Sequence, residues 1–462
     1  MKIMQATPRS PARSKRAPMR YVCALSVALA GCTASGEEVR PPRDQLFFPT
    51  GAAVSPKQTH LFVTNANSDL TYDSGSVSVF DLAQIDDVIT GWLGAKTIPP
   101  DCAQDGDHTE TLMCPEELFL GVTSDSGVRI GNFATEIAVQ DTDVGNGELR
   151  LIIPTRGDPS ISWADWDGDR LTCRPGAEGH EQCDDDHRLS FVQNDADNIS
   201  IPEEPFGAFA DTAGEFAMVT HLTSGAVTLI DSPRGGNAVI TDIVTGVFAP
   251  DPQTGLRGAT GVAGRTPGAL EDIIYVGSRS EDRVQTFTVG RPVNGASPFL
   301  LSSNYFFLDA VGTTNGQSSD TRGMAFSGSG ERLYLVNRRP PSLQIFDTSL
   351  GVTGFPRNRA IGATDICRQA STLSVADSGD GERIFVSCFQ DGQIYVINPE
   401  AGGSTDDIVT VGRGPYTVVA APARKRLYVT NFLEDTVAVL DIEPGSKTRN
   451  RVVLRIGEPR LP

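Results

Sequence analysis

Apolar residues along the chain come in pairs of short runs, and the pairs themselves recur. Leu61-Phe-Val-Thr-Asn-Ala-Asn-Ser-Asp is followed by an alternating run that closes at Ser76-Val-Ser-Val-Phe-Asp81. Near the far end, Leu427-Tyr-Val-Thr-Asn-Phe-Leu-Glu-Asp is followed by Thr436-Val-Ala-Val-Leu-Asp441, almost the same text. Weaker copies lie between, and their equivalent central residues are Val63, Ile153, Val219, Val276, Leu335, Val386 and Val429. The spacings are 90, 66, 57, 59, 51 and 43 residues. The alternating runs after them are Ser76 to Asp81, Ser160 to Asp165, Ala226 to Asp231, Arg283 to Thr288, Leu343 to Asp347, Gln393 to Asn398 and Thr436 to Asp441. Strict alternation in Val, Ile, Phe, Tyr and Trp predicts half-buried strands rather than helices.

The last unit has the length of one four-stranded propeller blade. Its strands are predicted as A (Tyr416 to Ala421), B (Arg426 to Asn431), C (Thr436 to Asp441) and D (Arg451 to Ile456). Strand A reads as small and apolar: Gly51-Ala-Ala-Val, Glu136-Ile-Ala-Val, Gly207-Ala-Phe-Ala and Gly261-Val-Ala-Gly. That suits the innermost strand, where blades converge on an axis. Gly-rich A–B turns such as Ser327-Gly-Ser-Gly and Asp377-Ser-Gly-Asp-Gly punctuate the units. The Asp that ends most C strands is expected to hydrogen-bond the following turn.

The Leu-Tyr-Val-Thr-Asn text with Ser/Thr-Val-x-Val-x-Asp after it resembles the YVTN-type β-propeller repeat family. The resemblance spans roughly residues 46–462 and weakens in the second unit, where Ile153-Pro-Thr-Arg stands, and in the fourth, where Thr288 replaces the closing Asp. The expected fold is therefore all-β, a seven-bladed β-propeller of four-stranded antiparallel blades. An eighth, degenerate blade could fill the first gap, but residues 84–126 contain no C-strand pattern. Each blade is continuous in sequence on this reading. The ring then closes by packing blade seven on blade one, with Arg43 to Phe48 available for an added edge contact.

The first 20 residues carry Lys2, Arg9, Arg13, Lys15, Arg16 and Arg20 and no acid, and the apolar run Tyr21 to Ala30 follows. This reads as a secretory signal peptide over 1–31, too short for a membrane span. Leu29-Ala30-Gly31-Cys32 resembles the bacterial lipobox, which implies lipidation of Cys32 and a tether over 32–45; the alternative is an unlipidated signal with a chance Cys. Thr33, not Asp, follows Cys32, which in that resemblance favours the outer membrane, with the protein facing the periplasm or the cell surface. Removing 1–31 takes away those six cations, so the formal net charge goes from −19 to −25. Such a surface repels nucleic acid and anionic headgroups, so neither is expected as a non-specific electrostatic partner.

Six further cysteines in an exported chain suggest disulfides. Locality favours Cys102–Cys114 and Cys173–Cys183, each inside an insertion (about 84–126 and 168–204), and Cys367–Cys388 across the sixth A–B hairpin. Metal ligation is the alternative, but no Cys-x-x-Cys occurs and the five histidines lie apart. Asp165-Trp-Asp-Gly-Asp partly resembles a calcium loop, but Arg170 stands where that loop wants Gly, which favours an acidic turn. No cofactor is expected otherwise, and no catalytic residue can be named.

Propeller ligands enter mostly where D–A and B–C loops meet at one end of the channel. Arg257, Arg322, Arg368 and Arg413 lie just ahead of A strands, and Arg156, Arg279, Arg338 and Arg339 lie in B–C loops, so all eight belong to one face. They are candidates for an anion-binding mouth, Arg being suited to bidentate carboxylate or phosphate contact. The plainer and preferred reading is solvated arginines paired with neighbours such as Glu281, Asp282 and Asp320. The leading functional expectation is a lipid-anchored binding or scaffolding propeller, its partner an envelope protein or a small anionic ligand. The alternatives are an enzyme like the bacterial lactonases built on a similar scaffold, or a quinone- or haem-linked dehydrogenase. The absence of Cys-x-x-Cys-His weighs against haem.

Overall fold

Each predicted run of alternating residues forms a strand, and the strands sort into sheets by sequence order. The computed structural model describes residues 39–460 except 121–126, 143–146, 174–181, 184, 193–198, 212–213, 266–272, 292–296 and 309–318. The residues expected to form a signal peptide and a lipidation site, including Cys32, lie outside the described residues. Among those described, the chain forms seven sheets, each built around an antiparallel A-B-C core. Blade seven is A (Pro415–Ala421), B (Arg426–Asn431), C (Thr436–Asp441) and D (Arg451–Ile456), within a residue of the expectation. The seven central B-strand residues, Val63 to Val429, are all fully buried, because the middle strands of each blade are covered by the blades on both sides.

The pairing register is repetitive. Ala52, Ala208, Val262, Met324, Leu373 and Val418 face Val63, Val219, Val276, Leu335, Val386 and Val429 respectively, and the A strand shifts register just before each. In blade two the bridge Ala134–Thr155 and the pair Ala138–Ile152 bracket the same shift. The smallness of strand A has a direct cause. A Cβ on Gly51 would lie 2.8 Å from the Glu136 backbone, one on Gly207 2.3 Å from the Thr260 carbonyl, and one on Gly261 2.3 Å from the Arg322 carbonyl. Neighbouring A strands thus approach so closely at the axis that a methyl group does not fit.

The Val-Thr-Asn text also has a structural reason. Thr220 Oγ1 donates to Thr260 O at 2.7 Å, and Thr430 Oγ1 to Thr50 O at 2.7 Å, each reaching the A strand of the next blade. The Asn fastens the mouth loops: Asn431 Nδ2 donates to Val411 O and Thr436 Oγ1, and Asn65 Oδ1 accepts from the Phe47 amide. In blade six the equivalent position is Cys388, which is bonded to Cys367 in the D–A loop. The disulfides Cys102–Cys114 and Cys173–Cys183 also form. Most closing C-strand acids bind the following turn as expected: Asp347 accepts from the Ser349 amide and Asp441 from the Glu443 amide.

The long first gap contains no eighth blade among the described residues. It holds α1 (Leu82–Ala95), two short strands (Ala103–Gln104 and Leu112–Cys114) and a 3₁₀ turn at Glu116–Leu118. The helix departs from the sequence pattern, which points to no more than a helical turn or two near Pro115. Asp81 ends strand C and also caps α1, accepting from the Ala83 amide at 2.7 Å. Leu82, Ile85, Ile89 and Trp92, spaced at helical period, are its buried face. This insertion closes the ring from outside. Leu112–Cys114 pairs in parallel with Leu454–Ile456 on the edge of blade seven, and α1 packs in the cluster that joins blades one and seven. The second insertion completes blade two, where Leu171–Thr172 and Arg188–Leu189 both pair with its C strand (Ser160–Trp166). Residues before strand A of blade one add to the seam: Phe48 N donates to Asp435 Oδ1 at 2.6 Å, and Leu46 N to Glu116 at 3.0 Å.

Candidate functional site

The repeated register allows each ring position at the axis to be read around all seven blades. One residue before the paired position stand Gly51, Glu136, Gly207, Gly261, Gly323, Thr372 and Thr417. Six are small, and the seventh is a carboxylate. Glu136 lines the central channel, a cavity of about 210 Å³ also walled by Gly261, Arg322, Thr372 and Thr417. It lines as well a second cavity of about 340 Å³ above it, with Arg156, Phe206, Arg322, Arg338, Phe389 and Tyr416 among the walls. Glu136 therefore stands at the neck between mouth and channel.

Its carboxylate has little to stabilise its charge. Glu136 Oε2 accepts one hydrogen bond, from the Ala208 amide at 3.0 Å, and no ion pair involves it among the described residues. Burial pushes its pKa up to about 7, against which the Ala208 hydrogen bond pulls only weakly. The residue is half-buried, so it still borders channel water although it lies deep within the ring. A carboxyl that changes charge near neutrality is suited to accepting or giving up a proton.

One layer higher, Arg322 and Tyr416 project from the A strands of blades five (Thr321–Phe326) and seven. Arg322 Nε lies 2.8 Å from Asp320, and its guanidinium sits 5.8 Å over the Phe206 ring. Tyr416 is held above its usual pKa by burial and then by the Glu136 charge. Arg338 donates to the Ala370 carbonyl at 2.5 Å and to Ser371 Oγ at 3.2 Å. Burial and then the adjacent Arg322 push its pKa down to about 10. Arg156 pairs with Glu204, which also accepts from Thr223. Burial raises the Glu204 carboxyl, but the Thr223 and Arg156 hydrogen bonds outweigh it and leave the pKa below the usual range. Arg279 is lowered by burial and then by Arg322, and it makes no ion pair among the described residues.

The eight arginines named from sequence thus separate. Arg156, Arg322 and Arg338 line one cavity, and Arg279 is electrostatically coupled to Arg322 and Arg338. Arg339 lies 4.0 Å from Asp320 and is exposed. Arg257 turns to the Phe248 carbonyl, Arg413 is held by Glu434 and the Arg460 carbonyl, and Arg368 is exposed on the rim. Of the pairings expected from sequence, Asp320 does hold Arg322, whereas Glu281 pairs with Arg283 outside the set.

Glu136 and Tyr416 are site residues that the sequence reading does not single out. In the repeat, Glu136 aligns with Gly51, Gly207 and Gly261 and so reads only as part of a small strand; the single acid in that column is the available signal. His221, the histidine nearest the mouth in sequence, is fully buried between Thr228 Oγ1 at 2.8 Å and the Glu203 carbonyl. The Asp165 to Asp169 segment is an acidic turn: Asp165 is held by Arg150, and Asp167 accepts from the Asp169 and Arg170 amides. No group of three or more His, Cys, Asp or Glu placed to hold a metal occurs among the described residues.

No protein-family model matches the chain, and no curated protein matches it. Many solved structures share its architecture. The β-propeller domain of Myceliophteria thermophila Cps50 (Swd1) is 11% identical, with a TM-score of 0.51 covering 85% of this chain and 96% of that one. A protein from Lactobacillus plantarum is 16% identical, with a TM-score of 0.50 over 72% of this chain and 90% of that one. The periplasmic gluconolactonase PpgL of Pseudomonas aeruginosa is 16% identical, with a TM-score of 0.50 over 72% and 88%. At these identities the likeness bears on the β-propeller fold and nothing finer.

Proposed function

We propose that the protein is a lipid-anchored propeller of the cell envelope that binds a small anionic ligand in the mouth of its channel. The observation that carries the reading is the convergence of Arg156, Arg322 and Arg338 on one cavity of about 340 Å³, with the Arg279 charge close enough to be felt with those of Arg322 and Arg338, in a chain of formal charge −19. Guanidinium groups gathered inside a concave, partly desolvated wall attract carboxylate or phosphate oxygens more strongly than the same groups on an open surface. Phe206, Phe389 and Tyr416 in the same wall offer faces to the carbon skeleton of the ligand.

The test is isothermal titration with sulfate and with glucuronate. The Arg156→Gln/Arg322→Gln/Arg338→Gln variant is expected to lose at least tenfold in affinity, on the order of 1.4 kcal/mol, while Arg368→Gln is expected to bind like the wild type. Equal affinity in all three proteins removes the reading. The anchor is tested separately by labelled palmitate, which is expected in the wild type and absent from Cys32→Ser.

Glu136 favours a second reading, hydrolysis of an uncharged cyclic ester. The ionised carboxylate would take a proton from water as the water oxygen attacks the ester carbonyl, with Arg322 facing the negative charge that develops on the carbonyl oxygen; collapse of the intermediate would break the ring C–O bond, and the leaving ring oxygen would take back the proton from Glu136 to give the open hydroxy acid. Of the similar structures, PpgL is a gluconolactonase by name, which makes gluconolactone the first substrate to try. Turnover by the wild type and its loss in Glu136→Gln would establish this second reading over the first.

A further inference from the structure

We propose that the mouth takes up its anion together with one proton, and that Glu136 is the group that carries the proton. This rests on the reading of the mouth as an anion site and adds a mechanism to it. The ring supplies the geometry. Six blades place glycine or threonine at the level where blade two places Glu136, so it is the one acid in that ring of seven positions. The carboxyl then borders both the mouth cavity and the channel. Arg322 borders the same two cavities, so an anion that it holds in them shares the neck with this carboxyl.

The groups around Glu136 explain why the charge goes uncompensated. From blade three it receives only the Ala208 amide. Blades one, four and six contribute Gly51, Gly261 and Thr372, which carry no charge. Blade seven contributes Tyr416, whose hydroxyl burial keeps protonated. The cations on this side are held toward other partners: Arg322 and Arg156 pair with Asp320 and Glu204, and Arg338 is turned to the neutral Ala370 carbonyl and Ser371 hydroxyl, which leaves its charge for an incoming anion. Two negative charges, the carboxylate and the incoming anion, would then share one poorly hydrated neck. Protonating Glu136 removes one of them and turns the carboxyl into a hydrogen-bond donor toward the anion.

The sign follows from linkage. Free Glu136 titrates near about 7, and the bound anion raises this further, so binding takes up a proton and strengthens as pH falls. Sulfate is the suitable probe because it remains fully ionised across neutrality, so a slope in its binding reports on the protein. Titrating the full chain at about pH 6 and about pH 8, the expected result is roughly tenfold weaker binding at the higher pH. Glu136→Gln keeps the shape and an acceptor for the Ala208 amide, and it is expected to bind sulfate equally at both. Repeating the wild-type titration near pH 7.5 in buffers of different protonation enthalpy counts the proton without any variant, and an uptake of about one half to three quarters of a proton is expected there, since free Glu136 is already partly protonated at that pH.

A flat wild-type profile with no proton uptake overturns the proposal, as does a slope that persists unchanged in Glu136→Gln. Failure of sulfate to bind at any pH overturns the anion site itself, and this inference with it. The first two outcomes leave the anion site standing.

Discussion

Replacing Glu136 by Gln should change how stability depends on pH, independently of any ligand. A carboxyl with a folded pKa of about 7 and an unfolded value near about 4.5 is bound to its proton more tightly in the folded state. Folding is then favoured below the unfolded value, and stability is lost as pH rises from about 4.5 through about 7. A tenfold change in proton affinity is worth about 1.4 kcal/mol, so the loss has a ceiling of about 3 kcal/mol above pH 7. Channel water at the half-buried side chain lowers that figure toward about 2 kcal/mol. Gln cannot ionise and keeps the acceptor used by the Ala208 amide, so it escapes the loss. The assay is urea denaturation at about pH 5 and pH 8 for both proteins, with the midpoint converted by the measured slope. The variant is expected to be more stable than wild type at pH 8 and to show little advantage at pH 5. Parallel pH dependences in the two proteins would refute the claim that Glu136 is buried without a compensating charge.

His221 responds in the opposite direction: burial lowers its pKa to about 4, so the stability it contributes above about 6.5 is lost as pH falls through about 4, by up to roughly 3 kcal/mol. His221→Gln should flatten that acid limb in the same urea assay. Cys102→Ser/Cys114→Ser opens a loop with a sequence separation of 12 and should cost about 3 kcal/mol, with amide exchange rising selectively along Arg451–Ile456, the strand that the insertion covers. Thr430→Val leaves the buried Thr50 carbonyl without its 2.7 Å donor and should cost about 1–2 kcal/mol, with faster exchange at the junction of blades seven and one. If exchange rises equally in all blades, that junction is not the point at which the ring opens.

Much of the blade architecture can be read from the chain because it depends on local pattern. The C strand Thr436–Asp441 and the C strand Gln393–Asn398 lie where alternation places them, since a two-residue period is visible within six residues. The three disulfides follow from short separations within an insertion or a hairpin. Helix α1 escapes that reading because Asp81 is both the last residue of a strand and the cap of a helix. The strand repeat obscures the helical spacing of Leu82, Ile85, Ile89 and Trp92 that begins immediately after it.

The candidate site is only half legible. Loop topology places the arginines on one face, but which of them line a common wall depends on partners such as Asp320, Glu204 and Glu434, more than 20 residues away or set by turn geometry. The repeat therefore specifies the seven blades, their central strands and the face on which loops gather, since each of those is written within a single blade's length of about 45 residues. The position of Glu136 at the neck, the separation of three lining arginines from five others, and the sealing of blades one and seven by an insertion strand arise only when seven A strands converge on one axis. That convergence brings together residues hundreds of positions apart, and nothing in the local pattern of any single unit encodes it.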